Sequence, residues 1–248
     1  MTDPAVLVSR VGALGRIHLN RPEALNSLTL EMIRPIGAGL DRSQNDSTVQ
    51  AVTLTVTGDK ALCAGGDIKL MYRIGRSDPA QALNFWAEEY RLAARIARFA
   101  KPLVAVMDGL VIGGGVGICI HESHRIVTKR TKFALPETGI GYFPDVGSTF
   151  SLSHSPDELG TWIGLTDATI RAGDVMAAGL ADAMVPSNRT EALLADLAAL
   201  GPVVEAVAPQ AADPGPSDLR ENAALIGTAF AGEDLRLMLD RLAATDAP

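Results

Sequence analysis

Gly113-Gly114-Gly115-Val116-Gly117 is the stretch whose reading decides this chain. Its three successive glycines leave backbone N–H groups unshielded by side chains, after an apolar, strand-like run from Leu103 to Met107. A helical pattern, Val116 to His121, follows. Such a junction puts unpaired donors at a helix N-terminus, where negative charge is favoured. Downstream come Pro136-Glu137 and Pro144-Asp145, two carboxylates eight residues apart in a segment punctuated by Gly and Pro. Carboxylates beside such donors can transfer protons or act as nucleophiles. The combination reads as an acyl-transfer or enolate-type enzyme.

A second loop upstream has the same character. Lys60–Asp67 reads as a loop opening a short helix at Ile68, and its Cys63-Ala64-Gly65-Gly66-Asp67 joins a strand to that helix with small residues that let a ligand approach the backbone. Two such loops can each offer one N–H to a single carbonyl oxygen, an arrangement that stabilises an oxyanion. Glu137 and Asp145 are the acids singled out, since a carboxylate in an apolar pocket has a raised pKa; their ordinary alternative is a capping role in a loop. Glu88 and Glu89 fall in a long helical pattern, where a solvated face paired with Arg91 and Arg95 is the default. His121 and His124 have no HExxH and no third ligand at recognisable spacing, so no metal is expected. Neither GxGxxG after a first strand nor GxxxxGK[ST] occurs.

Working outward, Val6–Arg10 and Arg16–Leu19 read as a hairpin around Gly12–Gly15, and Thr29 to about Ser43 as a helix. Ala51–Val56 alternates as a strand; Pro79 opens a helix to about Phe99, and Pro102 precedes the next strand. Arg125–Val127, Lys132–Ala134 and Asp182–Val185 read as short strands, and 157–165, 172–178 and 190–200 as helices. Strands alternating with helices predict α/β layering, and no fixed-period repeat is evident. Residues 1–200 form the expected core. Residues 201–217 hold four of the fourteen prolines and predict a linker; residues 218–248 predict two amphipathic helices, Leu219–Phe230 and Glu233–Ala243, which must pack on the body or on another chain.

A net charge of −7 argues against nucleic-acid binding or an anionic membrane surface as a general partner. No apolar run of 18 residues marks a membrane span. Met1-Thr2-Asp3-Pro4 does not read as a secretory signal, and Cys63 and Cys119 read as core residues, so a cytoplasmic setting is expected.

At these residues the chain resembles the crotonase (enoyl-CoA hydratase/isomerase) superfamily. The resemblance runs from His18–Asn26 through Cys63–Lys69, Gly109–Gly117 and Pro136–Gly147 to Leu165-Thr166 and Ala178–Asp182. It implies a crotonase-like spiral of ββα units with a C-terminal helical extension, assembled as a homo-oligomer, usually a trimer. It also implies an acyl-CoA substrate held by the N–H groups of Gly66 and Gly114, and no cofactor beyond the coenzyme A of that substrate. Coenzyme A contact is implied along Ala24-Leu25 and Ala64, Gly65, Asp67 and Ile68.

Hydratases of the superfamily carry one glutamate just after the glycine loop and another in the Pro-Glu segment. Here the first position is Gly117 and the second is Glu137, with Asp145 where hydratases usually have glycine. This combination resembles the branch that hydrolyses 3-hydroxyisobutyryl-CoA, in which the residue matching Glu89 contributes to the substrate pocket. Members of that branch usually continue past the position of residue 248 with further helices. The resemblance implies that Glu137 attacks the thioester or serves as base, Asp145 positions or activates the hydrolytic water or assists departure of the thiol, and Glu89 binds the 3-hydroxyl. An enoyl-CoA isomerase or hydratase-like enzyme using Glu137 alone, and acyl-CoA binding without turnover, are the alternatives.

Overall fold

The computed structural model describes residues 3–199 and 202–244. Two sheets share the strands. The larger has the order β1-β2-β3-β5-β7-β10: β1 (Val6–Val11), β2 (Leu14–Leu19), β3 (Ala51–Val56), β5 (Leu103–Met107), β7 (His124–Val127) and β10 (Ala183–Met184). The smaller has the order β4-β6-β8-β9: β4 (Ala61–Cys63), β6 (Leu110–Ile112), β8 (Lys132–Ala134) and β9 (Ile170–Arg171). Only the hairpin β1–β2 and the pair β8–β9 are antiparallel.

From β3 to β8, consecutive strands alternate between the sheets. β3 lies in the large sheet and β4 in the small one, and the same step recurs for β5 and β6 and for β7 and β8. Helices close each turn: α1 (Leu30–Asn45) precedes β3, α2 (Ile68–Ser77) and α3 (Pro79–Ile96) follow β4, and the single turn α4 (Gly114–Gly117) follows β6. This is the expected ββα spiral, present as a structural repeat although no sequence period betrays it. The chain continues through α5 (Ser148–Leu152), α6 (Leu159–Leu165), α7 (Ala172–Ala177) and α8 (Thr190–Ala198).

The centre of the large sheet is buried on both faces, so β5 reads as an unbroken apolar run, Leu103-Val104-Ala105-Val106-Met107. One face joins the main core with Ile33, Ile36 and Leu40 of α1 and Leu92 and Ile96 of α3. On the other, Val104, Val106 and Ile126 pack with Leu193 and Leu197 of α8.

Several expectations need correction. The linker expected over 201–217 is, in its described part, packed on the body: α9 (Val203–Val207) buries Val203, Ala206 and Val207 beside α8, and the Ala212 N–H bonds Met184 O at 2.9 Å. Leu200, the last residue of one expected helix, lies outside the described residues. The helix expected over Val116–His121 is only α4, because its glycines cannot anchor a longer one. The loop at Lys60–Asp67 contains β4. The helix expected over 219–230 breaks at Asn222 into α10 (Asp218–Glu221) and α11 (Ala223–Ala229), and α12 (Leu235–Ala244) follows. These helices dock on the main body, with Asp174 of α7 accepting the Ser217 hydroxyl at 2.9 Å and the Leu219 N–H at 3.0 Å.

Candidate active site

The small sheet positions the site. β4, β6 and β8 run parallel, and each delivers a loop to the same edge: Ala64–Gly66 after β4, Gly113-Gly114 after β6, and Pro136-Glu137 after β8. The Gly113 N–H ties two of these loops together by bonding Ala134 O at 3.2 Å. Gly113 has φ +52°, which favours glycine, and a Cβ there would lie 2.8 Å from Glu137 Oε1 and push that carboxyl aside.

The loops meet at their backbones. A Cβ built on Gly114 would stand 3.3 Å from Gly66 N. Leu28 bridges the residues flanking Gly66, its N–H to Gly65 O at 2.8 Å and its carbonyl to the Asp67 N–H at 3.0 Å. The Gly66 N–H takes no part in that bridge and has no partner among the described residues.

These elements enclose a cavity of about 340 Å³ lined by Ala64, Gly65, Gly66, Ile68, Gly114, Glu89, Glu137 and Asp145, together with Met71, Phe85, Trp86, Ile112, Ile140 and Tyr142. The three acids come from three elements: Glu89 from α3, Glu137 from the turn after β8, and Asp145 from the segment before α5. Glu89 Oε1 and Glu137 Oε2 are buried without a hydrogen-bond partner among the described residues. A Cβ on Gly114 would collide with Glu89 Oε1. No Lys, Arg or His lines the cavity.

Crowding three carboxyls into such a space favours their neutral forms. Burial, then the charges of Asp145 and Glu137, push Glu89 up to about 8. Burial chiefly pushes Glu137 up to about 7, with Asp145 adding to it. Asp145 is also raised by burial, although the Tyr90 hydroxyl, donating at 2.6 Å, opposes the rise. Near neutral pH, burial thus favours the protonated form of Glu89, which can donate a hydrogen bond, and Glu137 loses its proton at a higher pH than an exposed glutamate.

Glu88 and Glu89 separate as a helix requires. Glu88 faces out and pairs with Arg34 at 2.7 Å, not with Arg91 or Arg95. Glu89 lies 4% exposed on the buried stripe of Ala82, Phe85, Leu92 and Ile96, so the solvated default fails for it.

Gly117 lies beneath Val146. A Cβ at Gly117 would stand 2.5 Å from Val146 Cβ, so no side chain fits between them. Val146 is buried and holds φ +49°, a costly conformation for a β-branched residue. His121 Nε2 donates to Val146 O at 2.8 Å, which commits this histidine to the loop. No cluster of three or more metal-ligating side chains occurs among the described residues.

Not every residue implied for coenzyme A reaches this cavity. Ala24 and Leu25 lie in and just after the turn Pro22–Ala24; Leu25 lines a neighbouring cavity of about 290 Å³ with Asn26, Thr57 and Lys60, and Ala24 lines neither. The Ala64 N–H bonds Leu25 O at 3.1 Å, which joins this turn to the Gly66 loop. Asp67 is absent from both cavities: its side chain caps α2 through the Leu70 N–H at 3.0 Å and pairs with Arg21 at 2.8 Å.

Sequence reasoning missed Tyr142, Trp86 and Met71 in the lining, Tyr90 behind Asp145, and Asn26 in the support. Asn26 is buried, accepts the Arg21 N–H at 2.9 Å and donates to Ala61 O at 3.0 Å. The apolar stripe through 82, 85, 92 and 96 was a usable signal for Glu89; none existed for Tyr90.

Comparison with known proteins follows the same lines. The profile of the enoyl-CoA hydratase/isomerase family matches residues 14–248. The chain belongs to this family. Among solved structures, a carnitinyl-CoA dehydratase from Mycobacterium thermoresistibile superposes with a TM-score of 0.94 at 42% identity, over 99% of this chain and 72% of that one. An enoyl-CoA hydratase from Rhodobacter sphaeroides gives 0.90 at 40% identity, over 98% and 71%. Among curated relatives, the mitochondrial 3-hydroxyisobutyryl-CoA hydrolase of Danio rerio is 43% identical, over 77% of this chain and 50% of its own length. That of Xenopus laevis is 38% identical over 97% and 65%. The chain therefore spans half to about two-thirds of the curated relatives it matches.

Proposed function

We propose that this chain hydrolyses a short-chain 3-hydroxyacyl-CoA thioester, of the 3-hydroxyisobutyryl-CoA kind, to the free acid and coenzyme A. The observation that carries this reading is the convergence of Glu89, Glu137 and Asp145 beside the Gly66 and Gly114 backbone, with Val146 filling the space above Gly117. Hydration of a double bond in this family uses a second glutamate at the Gly117 position, and that position has no room for one.

The thioester oxygen would lie between the Gly66 and Gly114 N–H groups, which stabilise the negative charge of the tetrahedral intermediate; such a donor is worth roughly 2.7–4 kcal/mol of barrier. Ionised Glu137 either attacks the carbonyl carbon, expelling the thiolate and leaving a mixed anhydride, or takes a proton from an attacking water. In the first route Asp145 accepts a proton from the water that cleaves the anhydride. That proton balances the thiolate lost in the first step, and Glu137 is restored as a carboxylate. Protonated Glu89 would bind the substrate's 3-hydroxyl.

The names of the solved relatives favour a second reading, proton abstraction on an enoyl or 3-hydroxyacyl group by Glu137 alone. One comparison separates the two: thiol release from 3-hydroxyisobutyryl-CoA against isomerisation and hydration of 3-enoyl- and 2-enoyl-CoA by the same protein. Thiol release in large excess supports hydrolysis; the reverse order supports the second reading.

A further inference from the structure

Asp145 is held from two sides. Its backbone carbonyl accepts the Ser148 N–H at 2.9 Å and the Ser148 hydroxyl at 2.7 Å. Its carboxylate is held by a residue of another element, because Tyr90 of α3 donates its phenol O–H to Asp145 Oδ2 at 2.6 Å. The Tyr142 hydroxyl lies 3.3 Å from that of Tyr90, so a short chain of hydroxyls ends on the carboxylate. Tyr90 follows Glu89 in sequence, yet successive helical residues diverge by about 100°. One helix thereby buries Glu89 in the cavity and presents Tyr90 to Asp145.

We propose that Tyr90 is a positioning residue for Asp145: its phenol engages one carboxylate oxygen and so fixes the orientation in which Asp145 handles the hydrolytic water. This inference rests on the hydrolase reading above. Among the described residues, the groups facing Asp145 are Glu89 of α3, Glu137 after β8 and the Tyr90 hydroxyl, with the Tyr142 hydroxyl behind that of Tyr90, and no cation among them lines the cavity to hold the carboxylate instead. Burial, followed by the bond to Asp145, pushes the Tyr90 phenol pKa upward, so Tyr90 remains a donor across the neutral range. A charge-assisted bond of this length both orients the carboxylate and favours its ionised form.

The test is Tyr90→Phe, which keeps the ring and removes the donor. Protein carrying ¹³C-labelled aspartate carboxyls is titrated by NMR, with the Asp145 signal assigned by its loss in Asp145→Asn. Hydrolysis of 3-hydroxyisobutyryl-CoA is followed in parallel across pH. The expected result is an Asp145 midpoint about one pH unit higher in the variant, a tenfold change in its ionisation equilibrium. Loss of the carboxylate's fixed orientation should lower kcat about tenfold with KM within twofold. A purely structural role for Tyr90 would raise KM or lower the folded fraction without moving the Asp145 midpoint. An unmoved Asp145 midpoint overturns the proposal. Absence of thiol release by the unaltered protein instead overturns the hydrolase reading, and the carboxyl titration still decides whether Tyr90 governs Asp145.

Discussion

Replacing Glu89 with Gln should stabilise the protein at alkaline pH while leaving it nearly unchanged at acid pH. Glu89 is 4% exposed, its Oε1 has no partner among the described residues, and burial together with the Asp145 and Glu137 charges pushes it from 4.5 up to about 8. At about 1.36 kcal/mol per tenfold change, that displacement corresponds to a cost on the order of 5 kcal/mol for its ionised form. The sign follows from proton binding. Between pH 4.5 and about 8 the folded state retains a proton that the unfolded state releases, so stability falls across that window and levels off above it. Gln mimics the protonated acid and carries no such penalty. Relaxation and water entry lower the realised gain, so roughly 2–4 kcal/mol is expected at pH 8.5, or about 5–10 °C in Tm for a chain of this size. Urea unfolding of both proteins at pH 5 and pH 8.5 measures this directly. Equal pH dependence in the two proteins, or a variant less stable at pH 8.5, would refute the placement of Glu89 as a neutral buried acid.

Glu137→Gln should lower hydrolysis by at least about a thousandfold while acyl-CoA binding, measured by calorimetry, stays within a few-fold. The acid limb of kcat/KM should fall near pH 7, because Glu137 must be ionised to attack or to accept a proton; a limb near pH 4.5 would place the working carboxylate outside the cavity. Gly117→Ala should cost about 1–3 kcal/mol by urea unfolding, since its Cβ would press on Val146 Cβ, and Gly117→Glu should cost more without creating hydratase activity. Asp67→Ala should cost about 0.5–2 kcal/mol by losing the cap of α2, with a rise in KM from loosening of the Gly66 loop.

The sequence carried the large sheet well where the period was clear. Ala51–Val56 alternates Val52, Leu54 and Val56 with threonines, and this strand has the expected bounds. The small sheet was harder to read, because β4 and β6 are three-residue strands and β9 has two, too short for any periodicity. The glycine loops announced themselves by composition. Their meeting did not, because Gly66 and Gly114 are joined only through the parallel pairing of β4 with β6, a contact between distant parts of the chain. The resemblance supplied Glu89, although its apolar neighbours at 82, 85, 92 and 96 were physical grounds for burying it. Val146 gave no warning of its positive φ, since valine ordinarily avoids that region and only the packing around Gly117 and His121 enforces it. The prolines of 201–217 suggested a free linker, yet Pro202 opens a helix whose valines had core to fill beneath α8.

The central claim is that the cavity of Glu137 and Asp145 hydrolyses a 3-hydroxyacyl-CoA thioester. Its most direct test is free-thiol release from 3-hydroxyisobutyryl-CoA by the folded protein, with Glu137→Gln and Asp145→Asn in parallel. Steady multiple turnover by the unaltered protein and its loss in both variants are expected. Release that persists in Glu137→Gln, or no release by the unaltered protein, would contradict that claim.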